Sequence, residues 1–266
     1  MRFSIVHTTR YRYDAPVHLE PHTFRLCPRQ DGAQRVLSYQ LEISPKPAGR
    51  AEALDENGNV ITQAWFAGIT DVLDVRSAFE VETLRENPFD FLLAQRDRWL
   101  PGASGAQVPE SVAAFARSLA EQSKNQTIPF LTALTQAIFQ NVRQVVRRHG
   151  APHLPEKTLL EREGSCRDLA VLFCDACRAA GVNARFVSGY ERDASLQENG
   201  EMHAWAEVYL HGGGWRGYDP SRGLAVASSH VAVAAAADPA EAAPLSGAYR
   251  GSAHASMDFQ IAIQVA

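Results

Sequence analysis

The chain has 266 residues, 45% of them hydrophobic and 21% charged, enough to bury a large core in one domain or two. A formal net charge of -4, with no basic stripe interleaved with aromatics, excludes the electrostatic footprint of a nucleic-acid partner. The four cysteines, Cys27, Cys166, Cys174 and Cys177, are not the framework of a disulfide-stapled secreted domain, because three of them cluster and the chain is long enough to need no staples; reduced thiols are expected.

Charge interrupts the apolar residues between Met1 and Tyr13, so the apolar run of a signal peptide is missing there. The alanine-rich stretch Leu224 to Ala243 is broken by Ser228, Ser229, His230, Asp238, Pro239 and Glu241, which rules out a membrane span. A cytoplasmic location without a membrane partner is the expectation; the sequence assigns no oligomeric state.

Residues 1–85 read as strands. Alternation from Ile5 to Thr9 and from Val36 to Ile43 has the two-residue period of half-buried strands. Asn57-Gly58, between Leu54 and Val60, predicts a hairpin with a type I′ turn. Further strands near 60–67 and 72–84 complete an all-β, sandwich-like N-terminal domain. Asn87-Pro88, Pro101-Gly102 and Gly105 place a linker over 86–108, and residues 109–266 form the second domain.

That domain opens with a short helix from Pro109-Glu110, with Val112, Phe115 and Leu119 on one face. A longer helix begins near Thr127, its Leu131, Leu134, Ile138, Val142 and Val145 recurring at three and four. Arg147-Arg148-His149-Gly150 is placed to complement its negative end. A third helix runs from Ser165-Cys166 to Ala180 with Gly181 as its stop, lining Cys166, Leu169, Phe173, Cys177 and Ala180 on one face. Strands are predicted at 184–190, 203–210 and 215–218, the last two joined by His211-Gly212-Gly213-Gly214. The alternating Met257–Val265 returns as a strand to one of the sheets. Helices followed by strands make this half α+β.

An ordered trio carries the chemistry: Gly164-Ser165-Cys166-Arg167-Asp168, Met202-His203-Ala204-Trp205, and Gly217-Tyr218-Asp219-Pro220. A free thiol, with a pKa of about 8.5, is a few per cent thiolate at neutral pH, and the thiolate is the nucleophile. In the first turn of a helix, beside an imidazolium, a cysteine drops to roughly 3.5–7.5. His203, early in one strand, and Asp219, at the end of the next, would lie side by side, the carboxylate fixing the ring's tautomer. The Cys166 N–H, an unpaired donor of the helix start, suits an oxyanion.

Other candidates carry less. Cys174-Asp175-Ala176-Cys177 lies inside a helix and reads as core. Asp168 reads as a structural partner of the helix start or of a nearby arginine. Trp205 and Tyr218 either wall the cleft or fill the core. His7, His22, His230 and His254 carry no motif, and no metal or cofactor is expected. Glu191–Asp193 and Glu198–Glu201 form a polar loop that could overhang and gate the site.

At these residues the chain resembles the bacterial transglutaminase-like superfamily, papain-like cysteine peptidase relatives of the animal transglutaminases. His7–Tyr13, Pro16-Val17, Arg25–Arg29 and Asp55–Asn59 are similar to the β domain that precedes the core in that group. Gly164–Asp168, Ala184–Tyr190, His203–Val208 and Tyr218–Gly223 are similar to its core motifs. The resemblance implies a papain-like α+β core, with a helix bearing Cys166 packed on an antiparallel sheet bearing His203 and Asp219, and it implies nucleophile, base and orienter roles for the three. Animal transglutaminases have Trp after the nucleophile, where Arg167 stands here, and no acidic loop resembles their calcium sites. The expectation is a thiol hydrolase of peptide or amide bonds; transfer of the acyl group to an amine through the same triad and a non-catalytic scaffold are the alternatives.

Overall fold

The computed structural model of the chain describes residues 1–102, 107–192 and 200–266. The N-terminal part contributes β1 (Arg2–Leu19), β2 (His22–Phe24), β3 (Gln34–Ser44), β4 (Gly49–Leu54), β5 (Val60–Trp65) and β6 (Thr70–Thr83). Next come α1 (Glu110–Gln122), α2 (Thr127–Asn141), β7 (Arg143–Gln144), α3 (Pro155–Glu161), β8 (Glu163–Gly164) and α4 (Cys166–Ala179). The remainder is β9 (Ala184–Glu191), β10 (Met202–Leu210), β11 (Gly214–Asp219), β12 (Leu224–Ala225), β13 (His230–Ala236), β14 (Leu245–Ser246), β15 (Tyr249–Arg250) and β16 (Ala255–Val265).

Two sheets make the N-terminal sandwich: β15-β1-β6-β3, with β16 also on β1, faces β14-β2-β5-β4. Between them lie Tyr13, Val17, Leu19, Phe24, Leu41, Ala64, Leu73 and Val75. The alternating tail, β16, pairs antiparallel with β1 from Phe3↔Val265 to Tyr13↔Ala255, so the end of the chain completes the sheet its beginning started. β1 serves two cores with one face. Its outer half supplies Tyr13, Val17 and Leu19 to the sandwich, while Phe3 and Ile5 pack with Phe79, Tyr190, Val231 and Val233 against the second half of the chain.

There a third sheet, β12-β11-β10-β9-β13, carries α4 on β9 and β10. Leu169, Leu172, Phe173 and Cys177 of α4 meet Phe130, Leu134 and Ile138 of α2 and Ala206, Val208 and Tyr218 of the sheet. Burial of each large apolar side chain contributes about 1.5–3 kcal/mol, so this helix is held firmly where its first turn meets the strands.

Several local expectations change. The β4–β5 hairpin exists, but only Gly58 has positive φ, at 76°; a type I′ turn needs two such residues. Instead the Asp55 carboxylate accepts from the Asn57 and Asn59 N–H groups at 2.9 and 2.8 Å and shapes a longer loop. α2 stops at Asn141, because Val142 turns extended and Arg143-Gln144 pair in parallel with Glu163-Gly164. The β-branched Val142 and Val145 happened to match a helical period. Arg147 therefore caps no helix. The stretch 86–100 packs on the core through Phe91, Leu93 and Leu100, and Asp97 takes the His211 N–H and ring. The alanine-rich stretch holds β13, buried along its whole length. Most of the polar loop before His203, residues 193–199, lies outside the described residues. No helix among the described residues is long and apolar enough to cross a membrane.

Candidate active site

α4 starts where Gly164 lets the chain pass beneath its own helix. A Cβ there would sit 2.9 Å from both Asp168 Cβ and Leu169 Cδ1. Ser165 is the N-cap, and Asp168, three residues on, reaches back to the Ser165 N–H at 2.7 Å in a capping box. The same carboxylate accepts from the Ser165 hydroxyl at 2.8 Å, the His153 N–H at 2.6 Å and Arg147 at 2.5 Å. Burial opposes its charge, but these donors outweigh burial and hold it below the usual carboxylate range. Arg167, the residue after the nucleophile candidate, donates to the Gly150 carbonyl at 2.6 Å and to the Arg147 carbonyl. The basic cluster is thus a brace that clips residues 147–153 to the helix start.

This first turn presents Cys166 partly exposed, whereas Cys27, Cys174 and Cys177 are buried. Burial pushes the Cys27 thiol up to about 11 and Cys174 up to about 12, so neither is a nucleophile at neutral pH. As the first helical residue, Cys166 also brings one of the helix's unpaired N–H groups.

His203 Nε2 donates to Asp219 Oδ2 at 2.6 Å, and Cys166 is among the groups that favour the charged form of the same ring. With Nε2 committed, Nδ1 is left for the sulfur. The pairs of the β10–β11 hairpin run to Ala206↔Tyr218, a register that sets Asp219 opposite Trp205. His203 and Asp219 are therefore diagonal neighbours rather than side by side, within reach for an imidazole. Trp205 is buried and stacks on the His203 ring, with centroids 6.2 Å apart. Tyr218 belongs to the core and stacks on Phe173.

Asp219 is wholly buried yet amply paired. Its Oδ1 accepts from the Ser221 N–H at 2.9 Å, the Ser221 hydroxyl at 2.7 Å and the Arg222 N–H at 3.2 Å. Its Oδ2 accepts from His203 and, at 3.0 Å, from His230 Nε2. Burial alone would raise its pKa; the two imidazoles overcome burial and hold it well below the usual range. For His203, burial works to lower the pKa, and hydrogen bonds to Asp219 and Cys166 reverse the outcome, pushing it up to about 10. The geometry favours an imidazolium between a carboxylate and a sulfur.

Sequence reasoning missed His230, Ser221 and Glu191. Glu191 Oε2 lies 3.7 Å from His203 Nε2 and is held by a bidentate contact from Arg222. The donor atoms of Glu191, His203, Asp219 and His230 lie within 4.8 Å of one another, and this set is what could hold a metal ion. Both imidazole–Asp219 distances are those of hydrogen bonds, so an ion would first have to displace the two Nε2 protons. A cavity of about 350 Å³, lined by Phe139, Val142, Gln144, Leu169 and Ser221 among others, adjoins the Ser221 side of the site.

This arrangement on this fold defines a class. Residues 3–82 match the bacterial transglutaminase-like N-terminal region and residues 113–220 match the transglutaminase-like superfamily; the chain belongs to that superfamily of cysteine-based hydrolases and transferases. An uncharacterized protein of Mycobacterium leprae is 26% identical over 278 residues, covering 98% of each chain. One of Mycobacterium tuberculosis is 26% identical over 287 residues, covering 98% of this chain and 91% of its own. Among solved structures, a candidate cysteine protease from Cytophaga hutchinsonii superposes with a TM-score of 0.69 at 21% identity, covering 100% of this chain and 91% of its own, and so shares the fold. The α+β papain-like architecture with an N-terminal β domain is the fold of this chain.

Proposed function

We propose that this protein hydrolyses amide or peptide bonds through Cys166, His203 and Asp219. The observation that carries the reading is the 2.6 Å bond from His203 Nε2 to a buried, multiply accepting Asp219, on a ring whose charged form the one partly exposed cysteine, Cys166, also favours. The Cys166 sulfur attacks the substrate carbonyl carbon, and the oxygen that becomes negative takes the Cys166 N–H as a donor. His203 gives its Nδ1 proton to the departing nitrogen as the C–N bond breaks, leaving a thioester and a neutral ring. A water then attacks the thioester carbonyl, His203 takes its proton, the C–S bond breaks, and acid product leaves. Asp219 keeps the ring oriented and stabilises its charged form throughout.

The test is cleavage of an internally quenched peptide library by the wild type and by Cys166→Ala, with and without a fluorescent primary amine. Cleavage lost in the variant, with free acid as product, supports hydrolysis. Amine incorporation that depends on Cys166 would replace water by an amine as the acceptor. Equal cleavage by both proteins would sink the reading.

A further inference from the structure

We infer that His230 is a positioning residue of the catalytic machinery, a second imidazole that fixes Asp219 through the same oxygen that His203 uses; the inference rests on the triad reading above. His230 opens β13, and β13 pairs with β9 in a register that sets His230 opposite Glu191. β9 in turn pairs with β10, where His203 lies opposite Gly189. The two histidines are thus carried on strands that flank a shared neighbour, and both aim Nε2 at a single oxygen, Asp219 Oδ2, at 2.6 and 3.0 Å. Neither His230 nor Asp219 has any exposed side-chain surface.

The orientation of His230 is specified on every side. Nε2 faces a carboxylate oxygen, which can only accept, so Nε2 carries the hydrogen and in the neutral ring Nδ1 is left to accept from the Ser229 hydroxyl 2.9 Å away. Trp205 meets its ring edge to face at 5.0 Å while stacking on His203, so one indole spaces both imidazoles. Gly189 makes the approach possible. A Cβ there would fall 2.1 Å from the Val231 carbonyl oxygen and 2.8 Å from the Trp205 ring, forcing β13 away.

The consequence is mechanical and electrostatic. Ser221 and Arg222 already hold Oδ1 of Asp219, so Oδ2 is the oxygen left to shift with the His203 ring as it gives up its proton. With His230 holding the same oxygen, Asp219 stays in the orientation that returns the ring to its catalytic tautomer. His230 touches no reacting atom and works through Asp219.

The experiment compares His230→Gln with His230→Asn in the full chain. A Gln amide places a donor where Nε2 stood, and an Asn amide places it at the Nδ1 position, away from Asp219; the loss of ring packing is common to both. The readout is the rate of Cys166 alkylation by iodoacetamide at neutral pH, located by mass spectrometry, with His203→Ala as reference. The expected result is a near wild-type rate for Gln and a loss of roughly tenfold or more for Asn. Equal rates for Gln and Asn overturn the inference while His203→Ala remains slow. A His203→Ala rate equal to wild type removes the triad reading itself. Nitrogen-15 NMR of the unaltered protein supplies a readout that depends on no variant: His230 is expected as the Nε2–H tautomer with a slowly exchanging proton, and an Nδ1–H tautomer overturns the inference.

Discussion

His7 and His203 are buried to a similar degree, 4% and 8% exposed, and their chemistry is opposite. His7 sits on β1 at the seam between the sandwich and the third sheet, with Nδ1 2.8 Å from the Tyr190 hydroxyl and Nε2 3.1 Å from Thr9 Oγ1. Only hydroxyls contact its two nitrogens, so burial prevails and lowers its pKa to about 4. His203 suffers the same burial, but a carboxylate and a thiol reverse its effect. Burial by itself keeps a histidine neutral; a partner that stays charged keeps one charged.

The comparison breaks most visibly at Asp219. Asp219→Asn keeps the shape and removes the charge, which makes the His203 surroundings resemble those of His7. Alkylation of Cys166 and any amide turnover are expected to fall by roughly two to four orders of magnitude. The His203 resonance, expected to titrate near pH 10 in the wild type, should move to a lower pH. A wild-type His203 that titrates at the ordinary 6.5 would refute the premise.

The two imidazoles also pull stability in opposite pH directions. His203, raised from 6.5 to about 10, contributes fully below pH 6.5 and loses that contribution as pH rises through about 10. His7, lowered from 6.5 to about 4, contributes above pH 6.5 and loses it as pH falls toward about 4. Stability should therefore peak near neutrality. His7→Phe is expected to flatten the acid side by on the order of 2–3 kcal/mol between pH 7 and 4 and to leave Cys166 alkylation unchanged, as thermal melts across that range would check.

The placement of the charged half of this contrast was largely legible in the sequence, because Cys166, His203 and Asp219 each sit at an element end with flanking residues that place it. The strand pattern of β1 and β16, the capped start of α4 and its Gly181 stop were legible for the same reason: local periodicity and capping decide them. What was not legible depends on which strands meet. His230 is a lone histidine after Ser228-Ser229, and only the β13–β9 register brings it to Asp219. The apolar run Val231-Ala232-Val233 was a signal for a strand there, but small residues buried on both faces give no alternation. The diagonal placement of His203 and Asp219 likewise follows from a register that the Gly-rich turn alone does not reveal.

Gly189 connects the two regions, since it pairs with His203 across the β9–β10 ladder and precedes Tyr190, the partner of His7. Gly189→Ala forces a Cβ against the Val231 carbonyl and the Trp205 ring and should destabilise the protein by about 1–3 kcal/mol. Because β13 would be displaced, Cys166 alkylation should slow as well, which a purely structural glycine would not cause in protein that remains folded. An unchanged melting temperature would mean that β13 accommodates the methyl.

The smallest change is the sharpest test of what separates the two histidines. Tyr190→Phe deletes the hydroxyl 2.8 Å from His7 Nδ1 and leaves that buried nitrogen without its partner. The expected cost is about 1–2 kcal/mol, and His7 should remain uncharged at neutral pH because burial, not the hydroxyl, lowers its pKa. Alkylation of Cys166 should be untouched, since no charge at the seam reaches the triad. A His7 that becomes charged in this variant at neutral pH would mean that the tyrosine hydroxyl, rather than desolvation, had kept it neutral, and the contrast with His203 would then rest on hydrogen bonding alone.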